Sequence, residues 1–333
     1  MNKNNFLDNI NDLTKFHYEN SIEYKKILDF FKYKKNILHN LEDLPFLPAR
    51  LFKEIKLKSI PDKKVFKTLL SSGTSGSKPS KIYLDKENAN NQRIVLSKIY
   101  KSFVSDKRIP MLVIGKNTRF NNQKFNAKTA AIIGFSSFAK SIHYLINEKD
   151  EIDYGILQNF LNNFSNKQFL IFGFTYDVYN YLIHKLVKKS FNLENGILLH
   201  GGGWKKLEAN KITNDNFKKK INNKYNIKKI INYYGLIEQV GSIFFECQNC
   251  NSFICSDYSD VLIRDKNLNV IKNGKGFVQL MSLLPTSYPG HNILTEDIGE
   301  VVTQNDCKCL IKGKKFKIYG RLKEAELRGC SDV

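Results

Sequence analysis

A loop rich in hydroxyl, glycine and lysine residues is the part of this sequence best suited to bind phosphate. It reads, in order, Ser71, Ser72, Gly73, Thr74, Ser75, Gly76, Ser77, Lys78, Pro79, Ser80 and Lys81. Glycines let backbone N–H groups approach an anion, hydroxyls donate hydrogen bonds, and lysine adds positive charge. The spacing excludes a Walker A loop, because Gly76 is followed by Ser-Lys-Pro rather than by Lys-Ser or Lys-Thr. A polar surface linker is the alternative interpretation.

Three further motifs follow this loop along the chain. They are His200-Gly201-Gly202-Gly203-Trp204, then Tyr233-Tyr234-Gly235-Leu236-Ile237-Glu238, then Thr295-Glu296-Asp297-Ile298-Gly299-Glu300, which is trailed by Gly320-Arg321. Together with the loop, this set resembles the motifs of the adenylate-forming superfamily, which includes acyl-CoA synthetases, firefly luciferase and the adenylation domains of peptide synthetases. The resemblance extends over residues 71 to 321, nearly the whole chain.

Within that superfamily, the sequence is most similar to the acyl-protein synthetases of the bacterial luminescence fatty-acid reductase complex. The segments that carry this likeness are Leu47-Pro48-Ala49-Arg50-Leu51-Phe52-Lys53, Phe172-Gly173-Phe174-Thr175, and the ending from Gly320 to Asp332. The resemblance implies an α/β adenylation domain with parallel-rich sheets flanked by helices. It also implies a smaller β-rich subdomain, with the usual C-terminal lid domain absent or truncated.

Alternating strand and helix patterns predict the scaffold that positions these motifs. Strands are expected at 65–70, 81–84, 111–114, 169–172, 196–199 and 229–232, and helices at 6–57, 87–104, 154–163, 176–190 and 215–225. Such alternation predicts a parallel sheet, whose ligands bind at the carboxyl ends of strands, where Gly201 and Tyr234 fall. Short strands are expected from residue 241 onward. The predicted division is an α/β part over 1–240, a β-rich subdomain over 241–320 and a tail over 321–333.

Composition limits the possible partners and locations. The net charge is +21, but only seven of the 53 basic residues are arginine, which indicates a general bias toward lysine. No arginine cluster or helix-turn-helix pattern is present, so we expect no nucleic-acid partner. No apolar run is long enough to span a membrane and the first residues lack a signal peptide, so the expected location is the cytoplasm.

The resemblance implies a role for each nucleotide-binding residue. The loop from Ser71 to Gly76, with Lys78 and Lys81, would hold the β- and γ-phosphates of ATP. Ser80 intervenes where the family has lysine after proline, which leaves the roles of Lys78 and Lys81 open. Tyr234, Gly235 and the glycines Gly201, Gly202 and Gly203 would line the adenine site. Asp297 would bind the ribose hydroxyls, and Arg321 the ribose or a phosphate; a turn aspartate and a surface ion pair are the alternatives.

The resemblance also implies a Mg²⁺ site and a residue that contacts the acyl group. Glu238 corresponds to the family's acidic Mg²⁺-binding residue, although Ile237 stands where a threonine is usual; a capping or solvated glutamate is the alternative. His200 is a candidate for polarising the carboxylate or thioester, or is simply a residue at the end of a strand. ATP and Mg²⁺ are therefore the expected cofactors.

Cysteines are concentrated in the last third of the chain. Cys247 and Cys250 form one close pair and Cys307 and Cys309 another, a spacing typical of a structural Zn²⁺ site formed by two turns. Cys255 and His291 are possible substitute ligands. Reduced cysteines without a metal are the alternative, and disulfides fit a cytosolic chain poorly.

Cys330 lies apart from this cluster, near the end of the chain. The acyl-accepting cysteine of the resembled synthetases has a similar position, and Arg328 nearby would favour the thiolate. A free buried cysteine is the alternative. The sequence stops at Val333, without the roughly 100 residues expected of the usual C-terminal domain, itself the size of a small independent domain. Ligation to CoA by rotation of that domain is therefore not expected, and transfer to Cys330 is favoured.

These observations predict an ATP-dependent ligase. It would convert a carboxylic or fatty acid into an acyl adenylate and pass the acyl group to a cysteine thiol, from which a reductase or acyltransferase partner would take it. One alternative is a CoA-ligase-like enzyme of the phenylacetate-CoA ligase type. The other is a catalytically silent, zinc-stabilised binding protein.

Overall fold

The computed structural model describes residues 6–71, 78–117, 127–186, 191–204, 212–302, 307, 309 and 311–321. Their contacts separate the chain into two compact units. The first unit contains the described residues of 6–99 and 235–321, and the second contains those of 100–234.

The first unit begins with helices and a short hairpin. In chain order these elements are α1 (Phe6–Asn20), α2 (Ile22–Phe30), β1 (Leu47–Pro48), α3 (Leu51–Glu54), β2 (Lys67–Leu70), β3 (Lys81–Leu84) and α4 (Lys86–Phe103), whose last residues, from Tyr100, belong to the second unit. The helical pattern predicted over 6–57 is correct for α1, α2 and α3 and wrong between α2 and α3. Pro45 and Pro48 lie in that interval, and proline lacks the N–H that a helix interior needs.

The phosphate-binding loop predicted from the sequence joins β2 to β3, as expected. The two strands pair antiparallel, with Leu70 opposite Lys81. Side chains alternate along β3, so that Ile82 and Leu84 are buried while Lys81 is exposed. Ser80 continues this alternation onto the buried face, since its side chain is fully buried.

The second unit is a parallel α/β layer. Its elements are β4 (Ile109–Ile114), α5 (Ala127–Ser136), β5 (Ala139–Tyr144), α6 (Tyr154–Phe164), β6 (Phe169–Phe174), α7 (Thr175–Asp177) continuing as a π-helix over Val178–Lys185, β7 (Gly196–Gly201), α8 (Asn214–Tyr225) and β8 (Lys229–Tyr234). The strand order is β5-β4-β6-β7-β8, and all four pairings are parallel. Every residue of β4, β6 and β7 is buried, as expected of strands covered on both faces. The α/β prediction is confirmed.

The remainder of the first unit is an antiparallel sheet. Its strands are β9 (Phe244–Glu246), β10 (Phe253–Ile254), β11 (Ser259–Arg264), β12 (Val270–Ile271), β13 (Gly276–Ser282), β14 (Asn292–Val302) and β15 (Lys315–Arg321). They follow the order β12-β11-β13-β14-β15-β10-β9, and β1 adds to β14 in parallel. This confirms the short strands predicted after residue 241. None of the helices in the described ranges is long and apolar enough to cross a membrane.

Candidate active site

The two ends of the phosphate-binding loop are joined by a pair of serines. The Ser71 N–H donates to the Ser80 carbonyl oxygen at 3.0 Å, and the Ser80 N–H donates to the Ser71 hydroxyl oxygen at 2.7 Å. The hairpin therefore gains one rung beyond Leu70 and Lys81, in which a side chain replaces one carbonyl. We call this pair the loop neck. Lys78 and Lys81 are both exposed beside it.

Glu238 lies on a tightly anchored turn in the same unit. A 3₁₀-helix over Ile237–Gln239 presents it, and the buried Gln239 amide donates to the Leu280 carbonyl at 3.0 Å. The Val240 N–H donates to the Tyr288 hydroxyl at 3.2 Å, which holds the other side of the turn. A side chain at Gly290 would come within 2.4 Å of the Glu238 carbonyl oxygen, so only glycine fits beside the turn.

The Glu238 carboxylate is buried and contacts the loop neck. Its Oε1 accepts a hydrogen bond from the Ser80 hydroxyl at 2.7 Å, and only 5% of the residue is exposed. Burial raises the pKa of this carboxyl, while the Ser80 hydrogen bond and the charges of Arg321 and Lys53 oppose that rise. A buried carboxylate with these neighbours suits a cation that would compensate its charge, and Mg²⁺ prefers such oxygen ligands. The residues present therefore fit the predicted metal.

Asp297 and Arg321 face each other across two strands of the first unit. The register of β14 and β15 places them directly opposite, and Arg321 Nε lies 3.3 Å from Asp297 Oδ1. The Asp297 N–H donates to the Thr295 hydroxyl at 3.1 Å, and that hydroxyl donates to the Val278 carbonyl. Asp297 is thus a buried member of a sheet rather than the turn residue of the alternative interpretation. Asp297 and Arg321 are 24 positions apart in the sequence, and the pairing of the two strands brings their side chains together.

The second unit holds His200 and the three glycines at the carboxyl end of β7. His200 is 1% exposed, its Nδ1 lies 3.0 Å from the Thr175 hydroxyl, and its ring packs 4.5 Å from that of Phe217. Burial, helped by the charge of Lys218, lowers its pKa to about 3, so the imidazole is neutral at pH 7. Its Nε2 is buried without a hydrogen-bond partner among the described residues.

The three glycines that follow His200 differ in the space that each leaves for a side chain. A Cβ on Gly201 would lie 2.5 Å from the Tyr233 carbonyl oxygen, and Gly202 has φ +80° with the Phe174 ring 2.8 Å from its would-be Cβ. Among the residues that the structure describes, none lies within 4 Å of such an atom on Gly203. Gly201 and Gly202 are therefore required by packing and backbone conformation, while Gly203 faces open space.

The last strand of the second unit leads directly into the first. Tyr234 is the final residue of β8 and is partly buried. Gly235 follows it in the chain, and a Cβ there would meet the Ile243 side chain at 2.7 Å within the first unit.

Cysteines from two connections of the antiparallel sheet gather in one cluster. The Sγ atoms of Cys247, Cys250 and Cys307 all lie within 4.8 Å of one another, and those of Cys247 and Cys307 are 3.5 Å apart. Burial tends to raise the pKa of Cys307, but hydrogen bonds from the thiols of Cys309, Cys250 and Cys247 lower it to about 6. The cluster therefore favours a thiolate at neutral pH, which is the form that binds a metal.

Cys309, predicted as the fourth ligand, lies outside this group of three in the described ranges. Its Sγ donates to the Ile311 carbonyl at 3.7 Å, and burial together with the Cys307 and Cys247 thiols raises its pKa to about 11. Sulfur ligands of tetrahedral Zn²⁺ lie a few ångström apart, and Cys247, Cys250 and Cys307 meet that requirement. Cys255 and His291, expected as possible substitutes, lie outside the metal-ligand group found in the described ranges. His291 instead hydrogen-bonds through Nε2 to Thr14 at 2.9 Å.

Several predicted site residues lie outside the described residues. They are Ser72, Gly73, Thr74, Ser75 and Gly76 of the loop, and Cys330.

Sequence reasoning treated Ser80 only as an interruption of the lysine pattern, whereas its hydroxyl contacts Glu238. The signal was present, since Ser80, Ile82 and Leu84 share the period of two that marks a buried strand face. The charge of Lys53 lowers the pKa of Glu238, whereas the sequence indicates Lys53 only as part of the Leu47–Lys53 segment.

Comparison with solved structures defines the class of fold. The chain resembles 2-hydroxyisobutyryl-CoA ligase, solved in complex with 2-HIB-AMP and CoA, with a TM-score of 0.73 and 14% identity over 96% of this chain and 69% of that one. It also resembles ATP-bound MatB from Rhodopseudomonas palustris, with a TM-score of 0.53 and 9% identity over 79% of this chain and 49% of that one. The fold is that of the acyl-adenylate-forming ligases.

Sequence comparison narrows this class to one family. Residues 1–333 match the family described as "Acyl-protein synthetase, LuxE", and the chain belongs to that family. It is 22% identical to the long-chain-fatty-acid–luciferin-component ligase of Vibrio harveyi, over 95% of this chain and 83% of that protein. The corresponding ligase of Aliivibrio fischeri is also 22% identical, over 95% of this chain and 84% of its own length. The protein is an acyl-adenylate-forming ligase.

Proposed function

We propose that the protein activates a fatty acid with ATP and transfers the acyl group to a thiol of its own, that of Cys330. The observation that carries this proposal is the buried Glu238 carboxylate bonded to the neck of the phosphate-binding loop, in a chain that belongs to the acyl-protein synthetase family. The names of the two curated relatives favour a long-chain fatty acid as the substrate.

The first proposed step joins two anions. A carboxylate oxygen of the fatty acid attacks the α-phosphorus of ATP, the bond from that phosphorus to the β-phosphate bridging oxygen breaks, and pyrophosphate leaves. Because both reactants are negative, the protein must supply position and opposite charge. Lys78, Lys81, the hydroxyls of the loop and the N–H groups of residues 72–76 are the proposed partners of the β- and γ-phosphates.

The remaining nucleotide contacts are assigned residue by residue. Glu238 would hold Mg²⁺, which when bound neutralises phosphate charge. Asp297 would accept hydrogen bonds from the ribose hydroxyls, and Arg321, which steadies it, would add a donor for ribose or phosphate. Gly201, Gly202 and Gly203, with Tyr234 and Gly235, would form the adenine side.

His200 is proposed to act as a neutral hydrogen-bonding residue. Its low pKa, caused mainly by burial, makes it unsuitable as a base at pH 7. Its Nε2 is the atom available to donate to the oxygen of the acyl group, since Nδ1 is occupied by Thr175.

The second proposed step moves the acyl group to sulfur. The Cys330 thiolate attacks the carbonyl carbon of the acyl adenylate, the bond from that carbon to the AMP oxygen breaks, and AMP leaves with its electron pair. The product is a thioester on the protein. A reductase or an acyltransferase is the proposed acceptor, because a thioester is an activated acyl donor for both classes.

Zinc is proposed as a structural ion. Cys247, Cys250 and Cys307 would hold it, with Cys309 as the proposed fourth ligand, and it would tie the β9–β10 connection to the β14–β15 connection. The division of the chain into an α/β part over 1–240, a β-rich subdomain over 241–320 and a tail over 321–333 likewise stays a proposal, as does a cytoplasmic location.

Pyrophosphate exchange tests the first step. Exchange of labelled pyrophosphate into ATP should depend on added acid, measured with a panel of chain lengths. Glu238→Gln should abolish exchange, whereas the matched control Glu246→Gln, which changes another buried glutamate of the same unit, should retain it. Equal exchange in both variants would contradict the assignment of Glu238.

Intact mass measurement tests the second step. Wild-type protein with ATP and acid should gain one acyl mass, mapped by peptide digestion to Cys330. Cys330→Ala should keep exchange and lose the added mass. If no acid supports exchange in folded protein, the silent binding-protein alternative holds instead.

A further inference from the structure

Ser80 occupies a position that the proposed reaction does not yet use. Its backbone closes the loop neck with Ser71, and its hydroxyl reaches the Glu238 carboxylate, which lies 158 residues further along the chain. Ser80 is fully buried, and Ser71 and Glu238 are each 5% exposed. These contacts form one continuous path from the base of the phosphate-binding loop to the carboxylate assigned to Mg²⁺.

We propose that Ser80 is a positioning residue that orients the Glu238 carboxylate for metal binding. This inference rests on the proposed function, because it takes Glu238 as the metal carboxylate. It goes further by assigning a role to a residue that departs from the lysine of the superfamily pattern.

The chemistry of the contact supports positioning rather than packing alone. The Ser80 hydroxyl donates to an anionic oxygen, and such charge-assisted bonds are about twice as strong as neutral ones. One Glu238 oxygen is thereby fixed in direction, so the other keeps a defined orientation toward a cation. Hydrogen-bonded partners of metal-binding carboxylates typically contribute about 10–100-fold to metal affinity.

Both ends of the Ser80–Glu238 hydrogen bond are held in place. The Ser80 backbone cannot shift without breaking the rung to Ser71, and the Glu238 turn is held by Gln239 and by the Val240 contact to Tyr288. The loop neck therefore presents the Ser80 hydroxyl in one place. By linkage, a metal ion that tightens ATP binding must itself be bound more tightly when ATP is present, by the same factor.

Equilibrium binding without the acid substrate tests this positioning of Glu238 apart from turnover. The affinity for ATP is measured by calorimetry in EDTA and again with Mn²⁺, and bound Mn²⁺ is counted by electron paramagnetic resonance. The measured quantity is the factor by which Mn²⁺ tightens ATP binding. Ser80→Ala should reduce this factor about tenfold while leaving ATP binding in EDTA unchanged.

Conservative and control variants separate positioning from general destabilisation. Ser80→Thr retains the hydroxyl and should restore the factor, and Ser80→Cys, a weaker donor of similar size, should fall between Ser80→Ala and wild type. Ser287→Ala is the matched control, because it removes another fully buried serine hydroxyl, which donates to the Tyr83 carbonyl at 2.8 Å. It should leave the factor unchanged. If Ser80→Ala fails to fold, the Cys and Thr variants carry the test.

A double-mutant cycle completes the test. In a Glu238→Gln background, Ser80→Ala should have no further effect on the factor, because its partner is gone. The inference is overturned if Ser80→Ala keeps the wild-type factor, if Ser287→Ala lowers it equally, or if the loss persists in the Gln background. If Mn²⁺ does not change the ATP affinity of the wild-type protein, the metal role of Glu238 itself is overturned.

Discussion

A pair of buried histidines in the first unit should make the fold sensitive to acid. The rings of His17 and His291 stack 4.8 Å apart, and both side chains are fully buried. His17 Nε2 contacts the Pro285 carbonyl at 2.9 Å, so this nitrogen carries the proton and Nδ1 accepts from the Ser59 hydroxyl. Because burial disfavours the charged form, both rings are neutral in the folded protein at pH 7.

The magnitude follows from the pKa of His17. Burial, opposed by the Pro285 hydrogen bond, lowers this pKa from 6.5 to about 3. His17 binds a proton near pH 6.5 in the unfolded chain but only near pH 3 in the folded chain. Protonation of His17 therefore does not lower the free energy of unfolding above pH 6.5. Stability is lost as the pH falls toward 3, by about 1.4 kcal/mol per pH unit, or about 2 kcal/mol at pH 5. Burial also lowers the pKa of His291, as would the charge of His17 once protonated, and this adds loss in the same direction.

Denaturant unfolding between pH 7 and pH 5 measures this effect. The free energy of unfolding of wild type should fall over this range, and His17→Gln, which cannot titrate, should fall by about 2 kcal/mol less, although it starts from a lower value at pH 7. His39→Gln, which changes a half-exposed histidine of the loop before β1, is the control and should follow wild type. A His17→Gln slope equal to that of wild type would refute the reasoning.

Three further outcomes are expected. Gly201→Ala should lower the free energy of unfolding by about 1–3 kcal/mol, because its Cβ would overlap Tyr233, whereas Gly203→Ala should unfold like wild type in the same denaturant titration. Cys307→Ala should reduce zinc from about one ion per chain toward none, measured by metal analysis, and wild type should lose zinc as the pH falls because thiolates must be deprotonated to bind it. Asp297→Asn should weaken ATP binding about tenfold, measured by calorimetry. The same variant should leave the hydrogen-exchange protection of the strands in the second unit unchanged.

Local patterns predicted the strands of the second unit well. The runs at 111–114, 169–172, 196–199 and 229–232 each lie inside an observed parallel strand. They were readable because strands buried on both faces are continuous apolar runs bounded by turn residues. β5 was not predicted, since it is only half-buried and shows no such run. α5 was missed because its apolar residues do not form a clear stripe.

The site was less readable because its contacts join distant parts of the chain. The loop and Glu238 were each recognised by resemblance, but the Ser80 hydroxyl bond between them depends on how the hairpin lies in the first unit. The pairing of Asp297 with Arg321 depends on a register that shifts between Ile298 and Gly299, where the ladder is irregular. Such bulges alter which side chains face each other, and local sequence does not specify them.

The loop neck has a consequence for how this protein can vary. Because the Ser71 and Ser80 backbones hold each other, the residues between them can be exchanged or lengthened without moving the strands on either side. Extra length in a closed loop costs little entropy, about 0.6 kcal/mol per doubling. The neck thus allows the loop sequence to change independently of the strands. Loops from other adenylate-forming enzymes could be grafted between Ser71 and Ser80 while the Ser80 contact to Glu238 stays in place.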